Sequence, residues 1–451
     1  MHILFVVQDL NFEHLGVMVL SSVLKKAGHN VDIVEARYET IKKKLENNNF
    51  AILAYSAHTF IIRYYLNLNL KIKKEFKILS VFGGPHIALY PETINEPGVD
   101  GICIGEGEYA LPDLVNNLSA GKPITNIQNW WIKQDGKIFK NPCRPVIKDL
   151  DSLPFADRRL FASPDMAIVS TTRGCQYQCA FCAQQGAFRR RSVDNVIQEL
   201  RQIVKITGMR YIYFADSSLN FSAPWLKEFS QAYKREIRLP FYCYVRADLI
   251  TEESASYLKE AGCFSVIMGV ETANDYLRND ILKKGLSRDK IVDAAKLIKR
   301  HKIRLRTTSI IGIPHGSLRD DLDTIRLNIQ CRPDYALAFL LVIFKNTQSY
   351  DLLMKEEGAS RNIRFVNDYL LWESYGGKKI KNLRRLFSLA VEFPFILPLL
   401  PFLIGLPLDI FYAFLHVVWM IWCFCFRFSK GTALGLRMFF FGIKYKAFLK
   451  E

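Results

Sequence analysis

Over roughly the first 120 residues, short apolar runs alternate with stretches whose apolar positions recur every three or four residues. The chain opens on HILFVV, passes a turn-like QDLNFEH, and enters LGVMVLSSVLKKAGH, a helix-period stretch that Gly28 is placed to stop. VDIVEA, AILAYSA, ILSVFGG and GICIGEG are further strand-like runs, with helices predicted at IIRYYLNLNLKIKKE and EYALPDLVNNL. Strands alternating with helices predict an α/β domain over 1–145: a doubly wound parallel sheet, Rossmann-like or flavodoxin-like. Such sheets bind ligands outside the carboxyl ends of their strands. The loops there hold Ser56 and Thr59, then Gly83 and Gly84, then Gly105 and Gly107. Glycine in such loops lets the backbone approach a ligand closely or take a positive φ.

Residues 146–164, within a Pro- and charge-rich stretch that opens on a short hairpin, read as a linker. From 165 to 350 the strand–helix alternation resumes: AIVST, RYIYFAD, FYCYVRAD, FSVIMGVE, LRTTSIIGIP and YALAFLLVIF give six parallel strands. The helix SVDNVIQELRQIV follows the first, with Ser192 as N-cap and Asp194 in its first turn. Polar or special residues stand at the ends of these apolar runs: Asp216, Ser217, Arg246, Glu271 and Gly312. The local alternatives are a capping role for Asp216 and a pairing of Arg246 with Asp248.

The tail, 351–451, changes character. From Leu386 it is strongly apolar, in two blocks flanking Asp409, the first broken by Pro394, Pro398, Pro401 and Pro407. Cations flank it on both sides: Lys378, Lys379, Lys381, Arg384 and Arg385 before, and Arg427, Lys430, Arg437, Lys444 and Lys446 after. Positive charge on both flanks disfavours a single span. A helix pair lying in a membrane interface fits the pattern, and so does a helical subdomain buried against the barrel mouth.

Composition narrows the class. The 451 residues are 50% hydrophobic, which excludes a disordered chain, and the net charge of +17 favours an anionic partner. The basic tail gives that charge an outlet other than nucleic acid. An N-terminus without a charged segment and an apolar core argues against export and for a reducing, cytoplasmic compartment.

Of ten cysteines, Cys175, Cys179 and Cys182 cluster in RGCQYQCAFCAQQ. The other seven, Cys103, Cys143, Cys243, Cys263, Cys331, Cys423 and Cys425, are scattered. Three thiolates on one loop suit a [4Fe–4S] cluster with one iron left open to a small molecule. A zinc knuckle needs a fourth ligand, and the nearest histidines, His86 and His301, are remote in sequence. A disulfide is the other alternative.

The C-x3-C-x2-C spacing with Phe181 before the last cysteine resembles the signature of the radical S-adenosylmethionine (SAM) superfamily. GGPHIALYPE, GICIGEGEYAL and LDSLPFADRRLF resemble the subfamily with a leading cobalamin (B12) domain, the group of hopanoid C-methylases and the anaerobic magnesium-protoporphyrin cyclase. The resemblance implies a B12-binding first domain, a partial (β/α)6 radical SAM barrel and a mainly helical apolar C-terminal region. It implies cluster ligation by Cys175, Cys179 and Cys182, and SAM binding by Phe181, Asp216 and Ser217 (ammonium), Arg246 (carboxylate), Glu271 (ribose) and Gly312 (adenine). It implies cobalamin binding by Ser56, Thr59, Gly83, Gly84, Gly105 and Gly107. Two departures stand out. The D-x-H-x-x-G loop of B12 proteins reads D-L-N-F-E-H-L-G, so His14 is misplaced as a cobalt ligand and reads better as a helix-start residue. The P-x-P-G-T run of many relatives reads FKNTQSY. The implied activity is C-methylation of an unactivated carbon in a lipid or isoprenoid-like substrate. A flavodoxin or ferredoxin would supply electrons, at the inner face of a membrane. A radical oxidative cyclase shares every motif. A tRNA methylthiotransferase needs a second cysteine triplet that is not seen.

Overall fold

The computed structural model describes residues 1–161, 165–184, 186–206, 208–355, 363–366, 369–372 and 376–423. Cys425 and the distal cations Arg427, Lys430, Arg437, Lys444 and Lys446 lie outside the described residues. The chain divides into two compact units, with the boundary between Ile168 and Val169.

The first unit is built from β1 (His2–Val7), α1 (Leu15–Lys26), β2 (Asn30–Glu35), α2 (Tyr38–Asn47), β3 (Ile52–Ser56), α3 (Ile62–Glu75), β4 (Leu79–Gly83), α4 (Pro85–Leu89), β5 (Gly101–Cys103), α5 (Gly107–Ser119), β6 (Trp130–Gln134) and β7 (Lys137–Lys140). Its sheet order is β2-β1-β3-β4-β5-β6-β7, parallel through β5 and antiparallel beyond. Strand alternation decides which helix covers which face. Leu4 and Val6 of β1 pack with Ile62, Tyr65 and Leu66 of α3, while Ile3, Phe5 and Val7 pack with Val17 and Met18 of α1 and Leu114 of α5. Both faces are buried, which is why β1 reads as one continuous apolar run. The expected doubly wound sheet is present. Two features of it were not expected: α2, and the extension of the sheet by the β6–β7 hairpin. Residues assigned to the linker also fold onto this unit. Asp157 Oδ2 accepts from Ser21 Oγ (2.7 Å) and Lys25 Nζ (2.6 Å), and Phe161 joins the core.

The second unit starts with β8 (Met166–Val169), a two-residue pair β9 (Thr172–Arg173) and β10 (Arg189–Arg190), and α6 (Val193–Ile203). Then follow β11 (Tyr211–Phe214), α7 (Ala223–Glu236), β12 (Phe241–Val245), α8 (Glu252–Glu260), β13 (Cys263–Glu271), α9 (Arg288–Arg300), β14 (Arg304–Ile311), α10 (Leu318–Cys331) and β15 (Tyr335–Leu340). The six-stranded sheet runs β8-β11-β12-β13-β14-β15, in sequence order, as a partial (β/α)6 barrel requires. Ser192 caps α6 as expected, accepting from Asn195 N at 3.1 Å.

Beyond 350 the chain is mainly helical, as expected, with one β hairpin added. After β16 (Val342–Ile343) and α11 (Gln348–Met354), strands β17 (Ile363–Val366) and β18 (Tyr369–Trp372) form an antiparallel hairpin whose second strand pairs with β16. The pairing is non-local, so no sequence period announces it. Then come α12 (Gly377–Glu392), a tight turn from Pro394, α13 (Leu400–Leu403) and α14 (Asp409–Trp422). Ile380, Leu383, Phe387 and Ala390 of α12 pack on Ile311, Ile325, Ala336 and Ala338, covering α10 and the edge strand β15. Among the described residues, no helix is long and apolar enough to cross a membrane.

Candidate active site

In the second unit, β9 and β10 pair antiparallel and close off the loop between them, which carries the three cysteines (Arg189 opposite Arg173). Gly174 must lack a side chain here, because at φ +73° a Cβ would lie 2.4 Å from the Ala187 carbonyl oxygen. Farther along the loop, Ala180 N donates to Leu282 O (2.9 Å) and Ser349 N donates to Ala180 O (3.0 Å). Cys182 Sγ accepts from Gln184 N at 3.4 Å. The described cysteines are unbridged, which removes the disulfide alternative. No three His, Cys, Asp or Glu side chains among the described residues converge on one ion.

The loop's charge environment was not legible in the sequence. Burial pushes the Cys179 thiol up, and Lys284 and Arg246 pull it back. Burial alone would lower Lys284, but Glu271 and Cys179 outweigh it and hold the ammonium above its usual value. Glu271 and Lys284 form a buried pair, Oε1 to Nζ 2.6 Å. A Cβ on Gly269 would strike both partners, which accounts for that glycine. Glu271 sits at φ +60°, just past a register shift in β13, so a bulge turns its side chain out of strand alternation. The segment holding Lys284, which follows a π-helical turn at Leu277–Ile281, is fixed by Arg278, wholly buried, which donates to Thr272 O (2.7 Å) and Leu286 O (2.5 Å). Lys284 and Arg278 were missed because LRNDILKKGLS shows no strand end. Arg190 was missed as well: its guanidinium lies over Phe188 and Trp225, 5.4 and 4.8 Å from the ring centroids.

The expected SAM residues fare unequally. Asp216 is buried, and its carboxylate accepts from Thr171 N and Thr172 N (2.8 and 2.6 Å) and from both threonine hydroxyls, with Ser170 Oγ at 3.2 Å. It clamps the chain leading into the cysteine loop; most of these contacts meet at Oδ1, and Oδ2 takes the Thr171 hydroxyl. Phe181 is half-buried against the apolar cluster of Leu277, Leu282, Ile310 and Ile313. Ser217 does stand beside the loop, its Oγ donating to Gln184 Oε1 at 2.9 Å. Arg246 pairs with Asp248 (2.8 Å), as the local alternative held, but buried rather than on the surface. Its guanidinium lies 3.5 Å from the ring centroid of Tyr177, inside the cysteine loop. Gly312 has φ +68°, and its N–H donates to Asp321 Oδ2 (2.9 Å).

In the first unit, the strand order reverses between β1 and β3, and a doubly wound sheet offers its ligand crevice outside those carboxyl ends. Gln8, at the end of β1, is buried with its amide nitrogen unpartnered among the described residues. Ser56 and Gly83 lie side by side where β3 and β4 end. Nothing but Cys103 Cβ, at 3.8 Å, would meet a Cβ on Gly83, so packing within the chain does not demand that glycine. Gly84 is different, since at φ +96° its Cβ would lie 2.8 Å from Ala57 O. Gly105 (φ +87°) and Gly107 would press on Asn129 and Leu20, each at 3.2 Å. Internal packing explains these three. The Thr59 hydroxyl is engaged by His86. Thr93 Oγ1 donates to Tyr90 O (2.6 Å), so His86 Nε2 donates to Thr93 and His86 Nδ1 accepts from Thr59, both at 3.2 Å.

His14 stands at the start of α1, with Nε2 donating to Asp9 O (3.2 Å) and its ring stacked on Phe161. His58, which the sequence did not single out, follows Ser56 across the same crevice. Burial first, and then His14, push its imidazole down to about 4 from an ordinary 6.5. The fold thus keeps His58 neutral where an unfolded chain would protonate it. Stability is full above pH 6.5 and falls as the pH drops towards 4, by about 3 kcal/mol at most. Thermal melts over that range should slope less in His58→Gln than in the wild type; superimposed slopes would contradict this.

Comparison with known proteins identifies both domains. Residues 1–115 match the B12 binding domain model and residues 169–327 match the radical SAM superfamily model. This chain is a radical SAM protein with a B12-binding domain. It is 27% identical to an uncharacterized methyltransferase of Pyrococcus horikoshii, over 75% of this chain and 77% of that protein. It is 22% identical to the anaerobic magnesium-protoporphyrin IX monomethyl ester cyclase of a Synechocystis strain, over 75% of this chain and 72% of that one. The cobalamin-dependent SAM radical enzyme OxsB, solved with aqua-cobalamin and SAM, superimposes with a TM-score of 0.72 at 16% identity, covering 98% of this chain and 75% of that one. The protein is therefore an enzyme. Its radical SAM domain takes a [4Fe–4S] cluster and SAM, and its B12 domain takes cobalamin.

Proposed function

We propose that the enzyme is a C-methyltransferase acting on an unactivated carbon of an apolar, lipid or isoprenoid-like substrate, with electrons from a flavodoxin- or ferredoxin-type reductant. The observation that carries the methyl-transfer reading is the joining, in one chain, of a pinned three-cysteine loop to a B12 domain whose crevice ends in an unpartnered Gln8 amide. The apolar substrate rests on the tail, where large apolar side chains such as Phe402 (69% exposed) meet solvent.

Cys175, Cys179 and Cys182 would hold the cluster, and Gln8, Ser56 and Gly83 would receive cobalamin. When bound, the cluster and SAM supply a hydrogen-abstracting radical and cobalamin supplies the methyl group. The chain does the rest. Lys284 and Arg246 place fixed positive charge beside the thiolates and favour their deprotonated form. The Lys284–Glu271 pair fixes the Glu271 carboxylate at the end of β13, with Oε1 already engaged, so Oε2 is the oxygen for a ribose hydroxyl. The Asp216 clamp sets the entry of the loop so that the open iron's surroundings do not wander.

A second reading, oxidative ring formation, is favoured by the cyclase relative. Feeding SAM labelled in its methyl group to the reconstituted enzyme, with an apolar cell extract as substrate source, separates the two. Label in an apolar product supports methylation. An unlabelled product that has lost hydrogen would transfer the reading to the cyclase.

A further inference from the structure

The last described helix, α14, is apolar on both sides. Tyr412, Leu415 and Cys423 face inward, and Trp419 Nε1 donates to Ser388 Oγ of α12 at 2.8 Å. The other side, Phe411 (51% exposed), Phe414 (61%), Val418 (47%) and Trp422 (49%), follows the i, i+3, i+4 spacing of one helix face and lies in solvent. Ile410, Phe395, Leu399 and Phe402, each more than half exposed, extend the face to the preceding turns. A helix apolar all round is a helix whose second face has a partner, and a contiguous exposed patch of this kind marks an interaction surface.

Charge selects the partner. Between Phe393 and Trp422 the only charged residue is Asp409. Its carboxylate is already neutralised by Lys378 (3.1 Å) and Arg385 (3.7 Å). Beside this pair, at the start of α12, Lys379 is exposed. A protein partner's rim calls for mixed charges; an apolar aromatic face bordered by cations, on a chain of net charge +17, fits an anionic lipid surface. We propose that the α13–α14 face seats the enzyme on an anionic membrane surface, lying in the interface without crossing it. This does not depend on which reaction the active site performs.

The test is co-sedimentation of the full-length, cluster-reconstituted protein with phosphatidylglycerol/phosphatidylcholine vesicles and with phosphatidylcholine alone. Wild type should bind the anionic vesicles, more weakly as salt rises. Ile410→Ser with Phe414→Ser should weaken binding by about tenfold or more while SAM cleavage is retained. Lys379→Glu should weaken binding to anionic vesicles alone. Brominated lipid should quench wild-type fluorescence more than that of Trp422→Phe. Equal sedimentation of wild type and the double variant would overturn the proposal, as would failure of the wild type to bind. So would a concentration-dependent dimer lost in the double variant, which would assign the face to a second copy of the chain.

Discussion

Replacing Cys179 with alanine is expected to remove the iron–sulfur cluster and, with it, all detectable SAM cleavage. Cys179 is the most buried of the three thiols; burial pushes its thiol up, and Lys284 and Arg246 pull it back towards the thiolate that a cluster iron needs. Two remaining thiolates leave a second iron without a protein ligand. The loop around them is pinned by Leu282 and Ser349 and cannot bring in a substitute. Iron and sulfide content should fall to background after anaerobic reconstitution, and 5′-deoxyadenosine formation should fall by at least about a thousandfold, since the chemistry belongs to the cofactor and not to side chains. Corrinoid binding should be unchanged, because Gln8, Ser56 and Gly83 belong to a separately cored unit. Cys175→Ala and Cys182→Ala should behave alike.

Asp216→Ala should give the largest loss of stability of any single change near the site. It orphans the Thr171 and Thr172 amides and both threonine hydroxyls in a buried place. Leaving a buried network without its charged acceptor costs about 3–5 kcal/mol. In a unit of this size that is a fall in Tm of roughly 10 °C. Because Asp216 holds the strand that feeds Cys175, the surviving folded protein should also take up less iron. Asp216→Asn should be intermediate, keeping one oxygen for both amides and turning its own amide donor towards the Thr171 hydroxyl. A normal Tm with a raised KM for SAM would instead assign Asp216 to binding the ammonium.

Those two expectations mark where the sequence was readable and where it was not. The cysteine spacing lies within eight residues, so it survives reading in one dimension. So does the run HILFVV, whose residues are apolar because both faces of β1 are covered. The clamp at Asp216 was hidden because its partners, Thr171 and Thr172, are brought to it only when β11 settles near β8. The partner of Thr59 was hidden for the same reason: His86 reaches it from the next strand's loop. Lys284 could not be found, since neither a period nor a motif marks it, and its meaning comes from Glu271 across a bulge. Gly84 was chosen correctly as a special position, but its demand comes from Ala57, not from an incoming ligand. Hairpin β17–β18 was hidden because its second strand pairs with Val342 and Ile343 of β16, far earlier in the chain.

The central claim is that the cysteine loop holds a cluster with one iron open to SAM. The most direct measurement is 5′-deoxyadenosine formed from SAM by the anaerobically reconstituted wild-type enzyme under a strong reductant. The account predicts more than one equivalent per protein, and none from Cys179→Ala. A fully loaded cluster that leaves SAM intact would contradict it.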